Sequence, residues 1–202
     1  MARRRNPRGL LIAAAVLVSL SGAYGVAADR PIPVLNGRVV SVISGDTINV
    51  KLTNGVVRVV LQGVDAPEKD QLGGEEAAVG LAKLVNARDV RIAIVDQRPR
   101  QNISIAVVYV GDTDVNEAMV RDGLAWADRR HMRRKDDAIL CIYEEEARGL
   151  GRGLWAYSKL ERIAPWEWRN RFQRNYFTDY TDETAANCLA AVGEGKATDK
   201  AQ

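Results

Sequence analysis

Two short stretches hold the carboxylates best placed to do chemistry. Gly45-Asp46-Thr47 opens one β-branched run, and Val64-Asp65-Ala66-Pro67-Glu68 closes another about eighteen residues further on. Pro67 fixes the second turn and restricts Ala66, which holds Glu68 close to Asp65. Carboxylates that converge in a turn are hard oxygen donors of the kind Ca²⁺ or Mg²⁺ takes. A third carboxylate beside such a cation can orient a water, or take its proton, for attack on phosphorus. The same residues also have an architectural reading, because aspartate commonly caps strand ends and turns. Spacing by itself leaves both readings open.

The elements that must position these groups are legible as patterns. Residues 36–43, 46–52 and 55–64 are β-branched runs separated by Gly, Ser and Asn, as in consecutive antiparallel strands. Asn54-Gly55 is a tight-hairpin signal. From Glu75 the spacing turns helical, with Ala77, Ala78, Leu81, Leu84 and Val85 on one face and Glu75 and Glu76 at the electropositive end. Residues 90–95 and 103–110 read as two more strands. Asp114-Val-Asn-Glu117 starts a short helix in the manner of a capping box, and Gly123 ends it. A further helix is expected at 136–148, stopped by Gly149-Leu-Gly151. Five short strands, one helix after the third and others after the fifth, predict an α+β, mainly β, molecule. The expected architecture is a five-stranded OB-fold barrel over residues 36–110 with about three helices packed on it.

The chain of 202 residues suits one well-packed domain. Its charged and apolar fractions, 27% and 47%, exclude a disordered chain. Residues 1–28 carry Arg3, Arg4, Arg5 and Arg8, then an apolar run, then the small residues Ala27 and Ala28. That pattern predicts a secretory signal peptide, whose removal leaves a secreted or periplasmic protein with no stable membrane association. An uncleaved anchor is the alternative, since the segment approaches the length of a bilayer crossing. Without those four arginines, 29 basic residues become 25 against 26 acidic ones, a net charge of about −1. Affinity for a polyanion must then come from a local patch and not from total charge.

Gly45-Asp46-Thr47, Val64-Asp65-Ala66-Pro67-Glu68, then VNEAMVRDGLAWA at 115–127 and Gly153-Leu-Trp155 together resemble the thermonuclease, or staphylococcal-nuclease-like, family. The likeness runs over residues 37–155. It implies an OB barrel, a DNA or RNA substrate, and phosphodiester hydrolysis dependent on Ca²⁺. By motif position it implies that Asp46, Asp65 and the carbonyl of Ala66 hold the cation, and that Glu68 is the general base. The domain is then expected at 29–160, followed by an aromatic, basic extension at 161–192 and a disordered polar tail at 193–202. The protein is expected to be a monomer.

The sequence departs from that family at the cations. An arginine usually lies five residues before the second aspartate, where this chain has Val60. A second usually lies thirteen residues before the Asn of VNEA, where it has Ile103. Ser44 stands where an acid is usual, and the loop after Ala127 reads Asp128-Arg-Arg-His131 in place of aromatic residues. Cations preorganised for transition-state charge are each worth roughly 10² to 10³ in rate. Arg58 shares a strand face with Val60 about 6.6 Å away, and Arg98 and Arg100 lie in the loop that should carry the second cation. Arg58 and Arg100 are the candidate replacements, with solvated surface charge as the competing role.

Two functions from different classes follow. One is a secreted nuclease that is weak or uses displaced arginines. The other is a catalytically inactive domain that binds a nucleic acid or a protein. Cys141 and Cys188 are permitted a disulfide in an oxidising compartment, and both free thiols are equally consistent with their spacing. Of Trp155, Trp166 and Trp168, at least two are expected to pack against the barrel or its last helix. The alternative is a base-stacking platform aided by Arg169, Arg171 and Arg174.

Overall fold

The structure is a computed structural model that describes residues 32–132, 136–170 and 184–190. The leader at 1–28, the tail at 193–202, and Arg171 and Arg174 lie outside the described residues. Strands β1 (Val34–Ser44), β2 (Thr47–Leu52) and β3 (Gly55–Leu61) run as two successive antiparallel hairpins. The two-residue strand β4 (Val64–Asp65) and helix α1 (Gly74–Val85) follow, then β5 (Asp89–Arg98) and β6 (Ile103–Val110). After them come β7 (Thr113–Asp114), α2 (Val115–Arg121), β8 (Trp126–Ala127), α3 (Ile139–Gly149) and α4 (Pro165–Asn170). The sheet order β3-β2-β1-β5-β6 is closed by a parallel pairing of β6 with β3. This is the five-stranded barrel that the strand runs predict.

Alternation decides which residues fill it. Ile48, Val50, Val59 and Leu61 point into the barrel, while Arg58 and Val60 take the opposite face of β3. Ala77, Leu81 and Val85 of α1 and Val115, Met119 and Val120 of α2 close the same core. A second cluster gathers Trp126, Leu154, Trp155, Ala164 and Trp166. The Trp126 ring meets Trp155 and Trp166 edge-on at centroid distances of 4.6 and 5.6 Å. Two of the three late tryptophans are thus packed, and their core partner is Trp126 beside the barrel.

Three elements differ from the sequence reading. The predicted strand at 55–64 stops at Leu61, because Gly63 takes a positive φ of 69° and turns the chain. Asp65 therefore leaves the barrel sheet and pairs with Trp126 across β4 and β8. Residues 136–138 form a 3₁₀ turn ahead of α3. Helix α4 was not foreseen within the extension. Cys141 and Cys188 are joined by a disulfide, with Cα atoms 5.7 Å apart. Among the described residues no helix is long and apolar enough to cross a membrane.

Candidate active site

Asp46 sits on the β1–β2 turn with every carboxylate oxygen engaged. Oδ1 accepts from the hydroxyls of Ser44 at 2.7 Å and Thr47 at 2.8 Å, and Oδ2 accepts from the Ala66 amide at 3.3 Å. That last contact fastens the first carboxylate turn to the second. Its close approach depends on Gly45, where an added Cβ would lie 2.5 Å from the Ala77 Cβ and 2.7 Å from the Ala66 Cβ. Asn116 supports the second turn from below. Its side chain accepts from the Val108 amide and donates to the carbonyls of Gln62 and Ala106. The asparagine of the VNEA stretch thus ties α2 to the backbone that leads into Asp65.

Asp65 is buried and Glu68 stands at the rim, with side chains 5% and 38% exposed. The turn after Glu68 is closed by Gln71, which donates its backbone amide to the Glu68 carbonyl and accepts from the Glu68 amide. Two arginines reach these carboxylates. Arg169 Nη1 donates to Asp65 Oδ1 at 2.9 Å and to Glu68 Oε1 at 2.8 Å, and its Nη2 donates to Asp65 Oδ2 at 2.6 Å. Arg130 Nη2 donates to Asp65 Oδ2 at 3.2 Å, its Nε donates to Asp128 at 3.2 Å, and its guanidinium lies over the Trp166 ring. Burial pushes the Asp65 carboxyl up to about 6, against the opposing hydrogen bonds and charge of Arg169. The bond to Asp65 in turn raises the Arg169 guanidinium above its ordinary value.

Asp46, Asp65 and Arg169 line a cleft of about 270 Å³ together with Val60, Ile103, Ile105, Arg98, Asp128 and His131, and Glu68 adjoins it through its bond to Arg169. Val60 and Ile105 are cross-strand partners, and Ile103 pairs with Arg98 across β5 and β6. An apolar strip therefore separates the carboxylate end from Arg98. Arg58, exposed on β3, stands beside Ile103, and Arg100 lies exposed in the 3₁₀ turn Pro99–Gln101. Neither is among the residues lining the cleft; Arg98 is. The sequence reading brought Asp46, Asp65, Ala66 and Glu68 together as the structure does. It missed Arg130 and Arg169 as neighbours of Asp65. The available signal was the basic, aromatic run Pro165-Trp-Glu-Trp-Arg169, which places a packing tryptophan and an arginine three residues apart.

As donors, two carboxylates and the Ala66 carbonyl are hard oxygens of the kind Ca²⁺ accepts, with water completing the shell. Among the described residues no group of three His, Cys, Asp or Glu side chains forms a metal-holding cluster.

The sequence comparisons agree with this architecture. A model of the family "Staphylococcal nuclease homologue" matches residues 58–157. The protein ParB of Escherichia coli is 39% identical over 177 residues, which is 82% of this chain and 94% of that protein. A protein described as an uncharacterized endonuclease of Escherichia coli O157:H7 is 38% identical over 138 residues, covering 68% of this chain and 86% of its own. A micrococcal nuclease of Shigella flexneri is 35% identical over 142 residues, covering 66% of this chain and 79% of its own. With its closed barrel and its paired carboxylate turns, this chain belongs to the staphylococcal nuclease family.

Proposed function

We propose that the protein is a secreted, calcium-dependent nuclease that hydrolyses phosphodiester bonds of DNA or RNA, acting as a monomer. The observation that carries this reading is the seam between the two carboxylate turns. Asp46 accepts from Ala66, the neighbour of Asp65, and Arg169 ties Asp65 to Glu68, so two acids line one cleft and a third adjoins it. Asp46, Asp65 and the Ala66 carbonyl would hold Ca²⁺, which as a Lewis acid stabilises negative charge on a phosphoryl oxygen. Glu68, at the solvent-facing rim, is placed to take a proton from a water attacking phosphorus. The Arg98 side chain makes no hydrogen bond or ion pair among the described residues and lies at the other end of the apolar strip, where it can meet a neighbouring phosphate. The leader pattern and the Cys141–Cys188 disulfide support an oxidising compartment outside the cytoplasm.

A second reading has its own observation. Both oxygens of Asp65 already accept from guanidinium groups, a cation arrangement that a non-hydrolysing binding domain could retain. Degradation of plasmid DNA and of RNA, with Ca²⁺ and with chelator, separates the two. The nuclease reading expects cleavage that needs Ca²⁺ and falls at least a hundredfold in Glu68→Gln, as loss of general-base catalysis does. Absence of any cleavage at high enzyme concentration favours the binding domain, whereas cleavage untouched by Glu68→Gln keeps the nuclease and removes Glu68 as its general base.

A further inference from the structure

A phosphodiester entering this cleft meets Asp46, Asp65 and Asp128, with Glu68 adjoining through Arg169, so it needs cations whose donors are not all committed. A guanidinium carries five N–H groups in one plane. Arg169 commits three of them: both on Nη1, to Asp65 and Glu68, and one on Nη2, to Asp65. Its Nε–H and second Nη2–H make no hydrogen bond among the described residues, and the side chain lines the cleft while 43% exposed. Those two groups form the side edge of the planar head, a second fork with the spacing that a phosphate accepts in bidentate fashion.

The backbone that delivers Arg169 is fixed to the site. Gln71 Nε2 donates to the Ile163 carbonyl at 2.5 Å, and Trp168 Nε1 donates to Asp70 at 3.3 Å. Trp166 is buried against Trp126, the strand partner of Asp65. The extension thus docks on the same turn that carries Asp65 and Glu68, and the two carboxylates hold the guanidinium in one orientation. A cation held this way costs little further ordering when a phosphate arrives.

We propose that Arg169, supplied by α4 from beyond the segment that matches the family, grips a phosphodiester of the substrate through its Nε/Nη2 edge. This rests on reading the cleft as a polynucleotide site. It gives the chain a phosphate-binding arginine although Val60 and Ile103 line the cleft as apolar side chains.

The test is fluorescence anisotropy of a single-stranded oligodeoxynucleotide with hydrolysis-resistant phosphorothioate linkages, titrated with the protein across a salt series. Arg169→Ala is expected to weaken binding about tenfold, the worth of a charge-assisted bidentate contact. The slope of log affinity against log salt should fall by about one. Arg169→Lys should restore the slope but not the full affinity, because an ammonium cannot present a fork. Arg38→Ala, which removes a surface pair with Asp89 away from the cleft, should change neither quantity. Wild-type affinity and slope in Arg169→Ala would reduce Arg169 to a structural clamp and overturn the proposal. Tighter binding by Arg169→Ala would overturn it too, since the side chain would then be guarding the carboxylates. Because the probe resists hydrolysis, a wild-type protein that binds it but cuts no natural nucleic acid refutes the nuclease reading alone.

Discussion

Asp46 and Asp65 meet because the residues around them are small or spoken for. Gly45 leaves room for Ala66 and Ala77, so the Asp46 carboxylate reaches the Ala66 amide. Gly45→Ala is expected to cost about 1–3 kcal/mol, the usual penalty of overpacking a filled site, read as a lower urea midpoint at unchanged slope. It should also weaken whatever the two turns bind together. Asp128 offers a pH test in the same cleft. Burial raises its carboxyl, but the hydrogen bond from His131 and the charge of Arg130 outweigh it, and the net shift is downward from 3.8. The groups facing it are Arg130, His131 and, across the cleft, Asp65. A carboxyl lowered in the fold contributes stability that is complete above its unfolded value and is lost as pH falls through the folded one. Melting temperature should therefore drop on acidification below about 3.8. Asp128→Asn should flatten that limb while lowering stability near neutrality. An unchanged acid limb in the variant would assign the loss to other carboxylates.

At the scale of elements, periodicity carried the barrel and the first two helices, because alternation and 3.6-residue spacing are local properties. The carboxylate turns were legible for the same reason, since Pro67 and the flanking glycine positions act within a few residues. Arg169 was not, because its contact with Asp65 spans 104 residues and depends on how α4 packs. Helix α3 shows the same limit in another form. Of the run Glu144-Glu145-Glu146, Glu144 alone turns inward, which periodicity does not single out. It accepts from the Ala127 amide and pairs with Arg129 and Arg148, the latter packed over the rings of Trp155 and Trp126. Burial raises its carboxyl despite both arginines. Removing one member of a buried ion network strands the others. Glu144→Ala is accordingly expected to cost about 3–5 kcal/mol, by denaturant melts. Glu145→Ala at the neighbouring, exposed position, which loses one hydrogen bond from the Ala185 amide, should cost less; equal losses would mean that the network contributes nothing special.

For the whole molecule, the open question of the two cysteines becomes a statement about how the extension is fastened. Cys141 lies in α3 and Cys188 within the helical residues 185–190, so the bond closes a 47-residue separation that contains Gly153-Leu-Trp155, α4 and Arg169. Cys188 is also buried in the barrel's own hydrophobic cluster, with Ala185 beside it. A crosslink of this span restricts the unfolded chain and is worth about 2–4 kcal/mol. Two outcomes can be told apart with one experiment. If the bond stabilises the protein as a unit, the Cys141→Ser/Cys188→Ser variant should melt at lower denaturant by both far-ultraviolet circular dichroism and tryptophan fluorescence, with the two curves coincident. If the extension is held mainly by the bond, fluorescence from the cluster of Trp126, Trp155 and Trp166 should change first. The first outcome is expected, because α4 keeps three anchors of its own: Trp166 in that cluster, Gln71 on Ile163, and Arg169 on the carboxylates. An early fluorescence transition would show instead that Arg169 is kept in the cleft by a crosslink at the far end of the extension, and reduction of the protein would then weaken nucleic-acid binding as Arg169→Ala does.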